Sequence, residues 1–454
     1  MRWTTLQRAD WREPLEVLAG CAGEDFTLAF LSGGGGLRRR WSYVLFDPVE
    51  TLLADADDPA DPFEAMKQRL GPVSPGAPHG PPFQGGLAGL LTYELGWRVE
   101  PVGHDRHPDW PLAACGLYDR LLAFDHEARE VFAVGRGEDA AAADAAAAAA
   151  LKRLRQASPP TAWSGPLATA FDPVAPGEDY EAHVADVVDR IARGEVFQAN
   201  VARAWQGRLK LGGAPFHLLA RLQGASPAPF AAYLKLPGRA VVSNSPERFL
   251  RVRAGQGAAG LRAESRPIKG TRPRGADAAA DEALRQELLA CDKDRAENLM
   301  IVDLARNDLS RVCAPGSVKA PELFALETFA NVHHLVSTVV GEMTPGLGPI
   351  DLLQAAFPPG SVTGAPKVQA MKVIASYEGP RGPYCGSLAW AGFDGALDSS
   401  VLIRTVALVG DEDGWRFEAK AGAGLVADSD PVLERLETEA KIDAIRRALL
   451  DLPA

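Results

Sequence analysis

Short apolar runs, each ended by turn residues, recur along this chain and limit the folds open to it. In the first 160 residues they include 27–31, 41–46 and 86–93, and later ones include 239–252 and 399–409. Runs of this length and composition are typical of β-strands. Strands and helical patterns follow one another without the regular rhythm of a βαβ barrel. The pattern therefore predicts an α+β fold built on antiparallel sheet.

Four stretches are predicted as helices. Residues 138–156 are almost pure alanine before LKRLRQ, which favours an exposed helix, and apolar residues recur at helical spacing from Tyr180 until Gly194 provides a stop. Residues 295–309 and 431–450 complete the set. Between the first two helices, residues 157–177 are rich in Pro, Ser and Gly. This stretch predicts a boundary between an N-terminal region, 1–160, and a second region, 161–454.

Composition excludes several classes of protein. A chain of 454 residues with 46% hydrophobic residues can bury a large core, and its net charge of -11 argues against nucleic-acid binding. The five cysteines are scattered without a CxxC pair, which fits a reducing compartment better than disulfides or zinc. No secretion signal or membrane-spanning stretch is recognisable. We therefore expect a cytoplasmic protein.

Carboxylates on the last two helices suggest a metal site. Glu297 shares a helix face with Ile301 and Leu304, where an unpaired charge would be costly to bury. Glu434, Glu437 and Lys441 lie within a narrow arc of the other helix. Taken alone, each pattern is better explained by a salt bridge. Carboxylates from two helices would together provide an oxygen-only site suited to magnesium.

Two cationic residues, Arg404 and Lys269, can each be interpreted in two ways. Arg404 alternates in phase with Leu402 and Val406 in a predicted strand, so it points inward and needs an anion, either a structural carboxylate or a ligand. Lys269 lies in RPIKGTRPRG, a turn too irregular for a plain helix or strand. A lysine there is an ordinary surface residue or, if desolvated, a nucleophile.

Several motifs lie along the chain: GEVFQANVAR, SNSPERFL, RPIKGTRPRG, AENLMIVDLARNDLSRV, VHHLVS, GSVTGAPKVQAMKVI, RGPYCGS, IRT and AGAGLVADSDPVLERLETEAK. Taken together, they resemble the motifs of the chorismate-utilising enzymes, the family of anthranilate, aminodeoxychorismate, isochorismate and salicylate synthases. The resemblance is strong from Tyr180 to the C-terminus and weak before residue 160. It implies a large antiparallel β-sandwich core flanked by helices, and chorismate as substrate.

Lys269 selects a branch within that resemblance. Members that aminate ring carbon two normally have alanine in the PI-x-GT motif, whereas the aminodeoxychorismate-forming members have lysine, as in PIKGT here. The resemblance implies that the lysine amine attacks carbon two as the carbon-four hydroxyl leaves, and that ammonia then adds at carbon four. The expected product is 4-amino-4-deoxychorismate, a precursor of p-aminobenzoate and folate. The alternatives are anthranilate synthase component I, isochorismate or salicylate synthase, and a non-catalytic binder.

The resemblance implies roles for the other site residues. Glu247 would be the general acid, and His334 would lie near the ring carboxylate or the leaving group. Mg²⁺ would be held by Glu297 and Glu437, with Glu434 as a ligand or support. The enolpyruvyl carboxylate would be bound by Arg404, Tyr384 and the backbone from Gly422 to Gly424. Lys441 would add positive charge, and Thr271 and Thr363 would line the pocket with hydroxyl groups.

The chain shows no glutaminase nucleophile, so ammonia is expected from solution or from a separate glutamine amidotransferase subunit in a heterodimer. The N-terminal region resembles one that forms a tryptophan pocket, here near Ser32, Trp41, Ser42, Tyr43 and 227–233. Pro359, Ala389 and Trp390 depart from the family pattern. The last two are expected close to the pocket wall.

Overall fold

Two large antiparallel sheets form the centre of the protein. The computed structural model describes residues 2–33, 40–102, 105–255, 260–328 and 332–453. Within these ranges one sheet has 12 strands and the other has 10. Ten α-helices, α1 to α10, and two short 3-10 helices complete the described part of the chain. The predicted α+β fold with an antiparallel sandwich core is confirmed.

The strands are β1 Trp3–Asp10, β2 Leu28–Leu31, β3 Trp41–Leu45, β4 Glu50–Ala54, β5 Gly86–Leu91, β6 Ala113–Tyr118, β7 Arg120–Asp125, β8 Glu130–Gly137, β9 Asp172–Pro173, β10 Gln198–Arg208, β11 Phe230–Leu236, β12 Arg239–Ser245, β13 Arg248–Ala254, β14 Leu261–Ser265, β15 Ile268–Pro273, β16 Lys319–Thr328, β17 Val332–Glu342, β18 Gly364–Ala365, β19 Ser387–Gly392, β20 Leu397–Val401, β21 Thr405–Asp411 and β22 Gly414–Leu425. The α-helices are α1 Pro14–Ala19, α2 Pro62–Leu70, α3 Ala140–Arg155, α4 Gly177–Ala192, α5 Pro215–Ala225, α6 Ala278–Ala290, α7 Asp292–Ser310, α8 Pro349–Ala356, α9 Lys367–Ile374 and α10 Pro431–Leu450, and the 3-10 helices are Tyr93–Arg98 and Gly360–Val362.

Strand order shows that both sheets mix strands from distant parts of the chain. The larger sheet runs β1-β8-β7-β3-β2-β11-β12-β21-β22-β10-β18, with β9 paired to β10. The smaller runs β15-β17-β14-β13-β20-β19-β5-β6-β4, with β16 paired to β17. Each sheet contains strands from both sides of residue 160. The two predicted regions, 1–160 and 161–454, therefore both contribute strands to both sheets. The boundary between them stays a prediction.

The hydrophobic core lies between the sheets and beneath the helices. Leu45 and Val134 of the larger sheet join Leu90, Leu388 and Trp390 of the smaller one in a single buried cluster. The outer face of the larger sheet packs against α1, α3, α5 and α10, and the outer face of the smaller one against α2, α7 and α8. Burial of apolar surface at about 25 cal/mol per Å² makes this layering the main source of stability.

The prediction that the alanine-rich helix is simply exposed was wrong. One face of α3 is buried at Ala143, Ala146, Ala147 and Ala150. A Cβ added to Gly135 of β8 would lie 2.1 Å from the carbonyl oxygen of Ala143, so the helix backbone rests on the strand. Alanine is used here for close packing as well as for helix propensity.

Within the described ranges, no helix is both long and apolar enough to cross a membrane.

Candidate active site

A cavity of about 940 Å³ collects nearly all of the predicted site residues. Its walls come from both sheets, from α7 and α10, and from the segments by which the chain passes between the sheets. Of the thirteen residues predicted for the site, twelve line the cavity: Glu247, Lys269, Thr271, Glu297, His334, Tyr384, Arg404, Gly422, Gly424, Glu434, Glu437 and Lys441. Thr363 is the thirteenth, and it lies elsewhere.

The amine of Lys269 is held inside the cavity. Lys269 lies on β15, whose pairing with β17 shifts register between Ile268 and Thr271, so the prediction of a turn was wrong. Gly270 has φ +82°, which favours glycine and produces the irregular pattern seen in the sequence. The Nζ atom lies 3.8 Å from Oε2 of Glu297. Burial lowers the pKa of Lys269, and Glu297 opposes this effect. The uncharged, nucleophilic form of the amine is therefore more favoured here than in an ordinary lysine.

Glu247 and Arg404 lie on two segments that cross between the sheets side by side. Glu247 joins β12 of the larger sheet to β13 of the smaller, and Arg404 joins β20 to β21 in the reverse direction. Backbone hydrogen bonds tie the segments together, from Asn244 N to Arg404 O at 3.0 Å and from Val401 N to Glu247 O at 3.1 Å. The sandwich thus places an acid and a cation next to each other at the point where its sheets connect.

Glu247 has the properties of a proton donor. Its side chain is 9% exposed, and its Oε1 accepts a hydrogen bond from Oγ of Ser361 at 2.6 Å. Burial raises the pKa of Glu247, although Ser361, Lys269 and Lys441 act to lower it. A carboxylic acid that keeps its proton to higher pH than usual can deliver that proton during a reaction.

Arg404 is a partly buried cation that forms no ion pair with the described residues. It has φ +53° between two strands, so the prediction that it lies within a continuous strand was wrong, although its side chain does point inward. The guanidinium donates to the carbonyl oxygen of Lys441, and no Asp or Glu of the described residues forms an ion pair with it. Burial lowers the pKa of Arg404, with Tyr384 and Glu437 opposing. Of the two interpretations left open by the sequence, an anionic ligand is favoured.

Three carboxylates line one wall of the cavity. Oε1 of Glu434 accepts from Ser429 at 2.6 Å, and Oε1 of Glu437 lies 2.5 Å from Nζ of Lys441. Burial raises the pKa of Glu297 and of Glu434, and the charge of Glu437 raises both further. Burial acts in the same direction on Glu437, but Lys441 and other lysines outweigh it and lower its pKa. This mutual repulsion would be relieved by a bound cation.

Two glycines of β22 leave room for the side chains around them. A Cβ at Gly424 would lie 2.1 Å from Nε2 of Gln198 and 3.0 Å from Nζ of Lys269. A Cβ at Gly422 would lie 2.8 Å from Oδ1 of Asn200 and 3.0 Å from the Tyr384 hydroxyl. Any other residue at these positions would displace the amine or the phenol. Glycine here preserves the arrangement of the site.

Gln198 and Asn200 were missed by the sequence reasoning. They are polar residues at i and i+2 on one face of β10, within a strand that is otherwise apolar at its start. Asn200 lines the cavity, and Gln198 contacts the space between Gly424 and Lys269. The signal in the sequence was FQANV, in which two amide side chains alternate on one face of the strand. Polar side chains are unusual on a buried strand face.

Of the remaining predicted site residues, Thr271 and His334 line the cavity and Thr363 does not. Nδ1 of His334 lies 2.9 Å from Oγ1 of Thr271, and both line the cavity. Thr363 is fully buried, and its hydroxyl donates to the carbonyl oxygen of Pro359 at 2.9 Å and lies 3.2 Å from the Tyr93 hydroxyl. Thr363 therefore lies behind the cavity wall, where its carbonyl oxygen accepts from Asn200 N at 2.9 Å.

A second cavity, of about 460 Å³, lies at the N-terminal region. It is lined by Ser32, Trp41, Tyr43, Phe230 and Trp390, among others. Trp390 stacks on Phe83 with ring centroids 4.8 Å apart. Trp390 thus lines this cavity and not the first one, contrary to the expectation that it lies near the wall of the substrate pocket. The predicted location of a tryptophan-type pocket coincides with this cavity, while its occupancy stays a prediction.

Comparison with known proteins finds relatives that span most of this chain. A family model described as chorismate binding enzyme matches residues 28–447. Aminodeoxychorismate synthase component 1 of Klebsiella aerogenes is 39% identical over 407 residues, covering 88% of this chain and 85% of that protein. Anthranilate synthase component 1 of Geobacillus stearothermophilus is 35% identical over 483 residues, covering 97% of this chain and 92% of that protein.

Solved structures show the same architecture. Anthranilate synthase component I from Streptococcus pneumoniae TIGR4 superposes with a TM-score of 0.78 at 26% identity, covering 91% of this chain and 93% of that one. The isochorismate synthase MenF from Escherichia coli has a TM-score of 0.70 at 16% identity, covering 98% of this chain and 95% of that one. The second likeness concerns the fold alone.

The buried acid predicts a pH-dependent stability difference. Glu247→Gln keeps the size of the side chain and removes its charge. Because burial raises the pKa of Glu247 in the folded state, ionisation destabilises the folded protein at neutral pH. We expect the variant to be more stable than wild type by about 0.5–2 kcal/mol at pH 8. The gap should close as pH falls below the usual glutamate value of about 4.3.

Thermal unfolding across pH 4 to 8 measures this gap. Glu412→Gln, on the exposed turn between β21 and β22, is the matched control and should show no pH-dependent gap. A Glu247→Gln variant that is less stable than wild type at pH 8, or whose advantage grows in acid, would contradict the assignment of Glu247 as a buried acid.

Proposed function

The chain belongs to the family of chorismate-binding enzymes, and we propose that within this family it converts chorismate and ammonia to 4-amino-4-deoxychorismate. The observation that carries the proposal is the amine of Lys269, which lines the cavity 3.8 Å from Glu297 and whose pKa is lowered by partial burial. Relatives of this chain include both aminodeoxychorismate and anthranilate synthase components at 39% and 35% identity. Overall identity therefore does not separate the two activities, and the choice rests on Lys269.

The first chemical step joins Lys269 to the substrate. The uncharged amine attacks carbon two of the ring, the ring double bonds shift, and the bond from carbon four to its hydroxyl breaks. Hydroxide is a poor leaving group, so the proton of Glu247 is transferred to the departing oxygen and water leaves. The raised pKa of Glu247 supports this role. The amine gives up one proton as its new bond forms, and the Glu247 carboxylate, which has just lost its own proton, accepts it.

In the second step, the nitrogen of ammonia replaces the Lys269 amine on the ring. Ammonia forms a bond to carbon four, the double bonds shift back, and the bond between carbon two and Nζ of Lys269 breaks. One proton passes from the incoming nitrogen to the departing amine. The covalent intermediate divides a difficult substitution into two easier ones and blocks carbon two against amination.

Two cations support binding of the dianionic substrate by an acidic protein. Arg404 has no counter-ion among the described residues, and its planar guanidinium suits a carboxylate. The Tyr384 hydroxyl lies 3.0 Å from a Cβ placed on Gly422. Nζ of Lys441 donates to the carbonyl oxygen of the same glycine at 2.9 Å. We assign the enolpyruvyl carboxylate to Arg404 and Tyr384. Lys441 adds positive charge beside it, and Thr271 and His334 supply polar contacts to the ring.

The chemistry of the three carboxylates in the cavity suits a magnesium ion. Their oxygen-only donor set and mutual repulsion suit a hard cation, and we assign Glu297 and Glu437 as ligands with Glu434 beside them. No group of three or more His, Cys, Asp or Glu side chains in the described parts of the chain lies close enough together to hold a metal alone. Magnesium commonly completes its shell with water and substrate oxygens. When bound, it would neutralise the ring carboxylate of chorismate.

We propose that ammonia reaches the site from a separate subunit. The word component in the names of the relatives supports a two-component enzyme. We propose that a glutamine amidotransferase subunit pairs with this chain and supplies ammonia, and that the product leads to p-aminobenzoate and folate. Ammonium salts at high concentration should replace the partner in a test of the chain alone.

Replacing the nucleophile tests the proposal. Lys269→Ala should lower formation of 4-amino-4-deoxychorismate by at least about 100-fold, the lower range for a positioned catalytic group, and should permit some anthranilate to form. The assay is incubation with chorismate, magnesium and ammonium chloride, followed by chromatographic and mass identification of products. Lys372→Ala, on the exposed side of α9, is the control and should keep its activity. Full activity of Lys269→Ala would remove the nucleophile assignment.

Removing one carboxylate tests the metal assignment. Glu297→Gln and Glu437→Gln should each raise the magnesium concentration for half-maximal rate by about 10- to 100-fold, and should weaken magnesium binding measured by calorimetry without substrate. Glu439→Gln is the control on the same helix, because its carboxylate already pairs with Arg203 and Arg435. Unchanged magnesium titrations would exclude Glu297 and Glu437 as ligands.

A further inference from the structure

The side chains of Gln198 and Asn200 are buried amides whose hydrogen-bonding groups are not used by the protein. They are 1% and 7% exposed. Both amide atoms of Gln198 and Oδ1 of Asn200 have no hydrogen-bond partner within the described residues. An unsatisfied buried polar group costs about 1–3 kcal/mol, so folded proteins rarely keep several together without a reason. Three such atoms at one site indicate that a ligand satisfies them.

The two amides lie over the glycines of β22, between the amine and the phenol. The space above Gly424 is shared by Nε2 of Gln198 and Nζ of Lys269, at 2.1 Å and 3.0 Å from a Cβ placed there. The space above Gly422 is shared in the same way by Oδ1 of Asn200 and the Tyr384 hydroxyl. A small ligand bound by the amides would therefore lie within reach of the proposed covalent intermediate.

The backbone beneath these amides is fixed from several directions. Asn200 N donates to the Thr363 carbonyl oxygen at 2.9 Å, and Asn200 O accepts from Nη2 of Arg381 at 2.6 Å. Arg381 is in turn paired with Glu378 at 2.8 Å, and both side chains are buried. Asn200 also lies opposite Gly424 in the sheet register. The free amides therefore belong to a rigid part of the structure, where their positions are preorganised for binding.

We propose that Asn200 and Gln198 form the binding site for the ammonia that attacks the lysine-linked ring. Ammonia has three N–H donors, and two carboxamide oxygens can accept two of them while the nitrogen lone pair stays free. A neutral amide suits this task better than a carboxylate, which would stabilise ammonium, a cation with no lone pair to donate. The proposal rests on the proposed function, and it assigns these residues to the second step alone.

In that second step the bond from nitrogen to carbon four forms and the bond from carbon two to Lys269 breaks, with one proton passing from the incoming nitrogen to the departing amine. The amides orient the nucleophile and take no proton themselves. The alternative occupant of the amides is chorismate itself. The carboxylates of chorismate have the cations Arg404 and Lys441 available in the same cavity, and a cation binds an anion more strongly than a neutral amide does.

Separate kinetic constants for the two substrates test the site. Asn200→Leu and Gln198→Met preserve size and remove the amides. With ammonium chloride as the nitrogen source, each should raise KM for ammonia by roughly 3- to 10-fold, the value of one neutral hydrogen bond, and leave KM for chorismate unchanged. Gln206→Met is the matched control. Gln206 is an exposed amide on the same strand and does not line the cavity, so KM for ammonia should not change.

The half-reactions distinguish the outcomes. Without ammonia, intact-protein mass spectrometry should show that the Asn200→Leu and Gln198→Met variants form the lysine adduct at the wild-type rate, which also shows that they are folded. When ammonium chloride is then added, the adduct should be discharged more slowly than in wild type. Discharge at the wild-type rate, or a rise in KM for chorismate, would overturn the ammonia site. Absence of any adduct in wild type would instead overturn the proposed function.

Discussion

The site depends on one costly arrangement, a lysine amine held in a buried cavity with a carboxylate nearby but not in direct contact. Nζ of Lys269 lies 3.8 Å from Glu297, too far for a tight ion pair. Burial lowers the pKa of the amine while the carboxylate opposes that effect. Close pairing would keep the amine charged and inert. The separation leaves the amine able to lose its proton.

The sandwich provides this arrangement by bringing together parts of the chain that are far apart in sequence. Lys269 comes from the edge strand of the smaller sheet and Gly424 from the larger one, while Glu247 and Arg404 lie on the two segments that cross between them. Hydrogen bonds between these crossing segments set the acid and the cation at fixed positions. A large, rigid core thus holds charges that repel one another or lack partners, as expected for a preorganised active site.

Much of the fold, and the grouping of most candidate site residues in one cavity, could be predicted from the sequence. The limits of α10 were obtained from its pattern, and twelve of thirteen proposed site residues line one cavity. The errors have physical causes. A glycine bulge made β15 resemble a turn, and a left-handed residue interrupts the apparent strand at Arg404. The importance of Gln198 and Asn200 depends on what lies opposite them, which a local pattern cannot reveal.

The most direct test is a crystal structure of the protein with magnesium and chorismate, prepared without ammonia. The account predicts continuous electron density between Nζ of Lys269 and carbon two of the ring, with the enolpyruvyl carboxylate against Arg404. A structure in which chorismate is bound intact while the Lys269 amine points to solvent, away from the ring, would contradict the central claim.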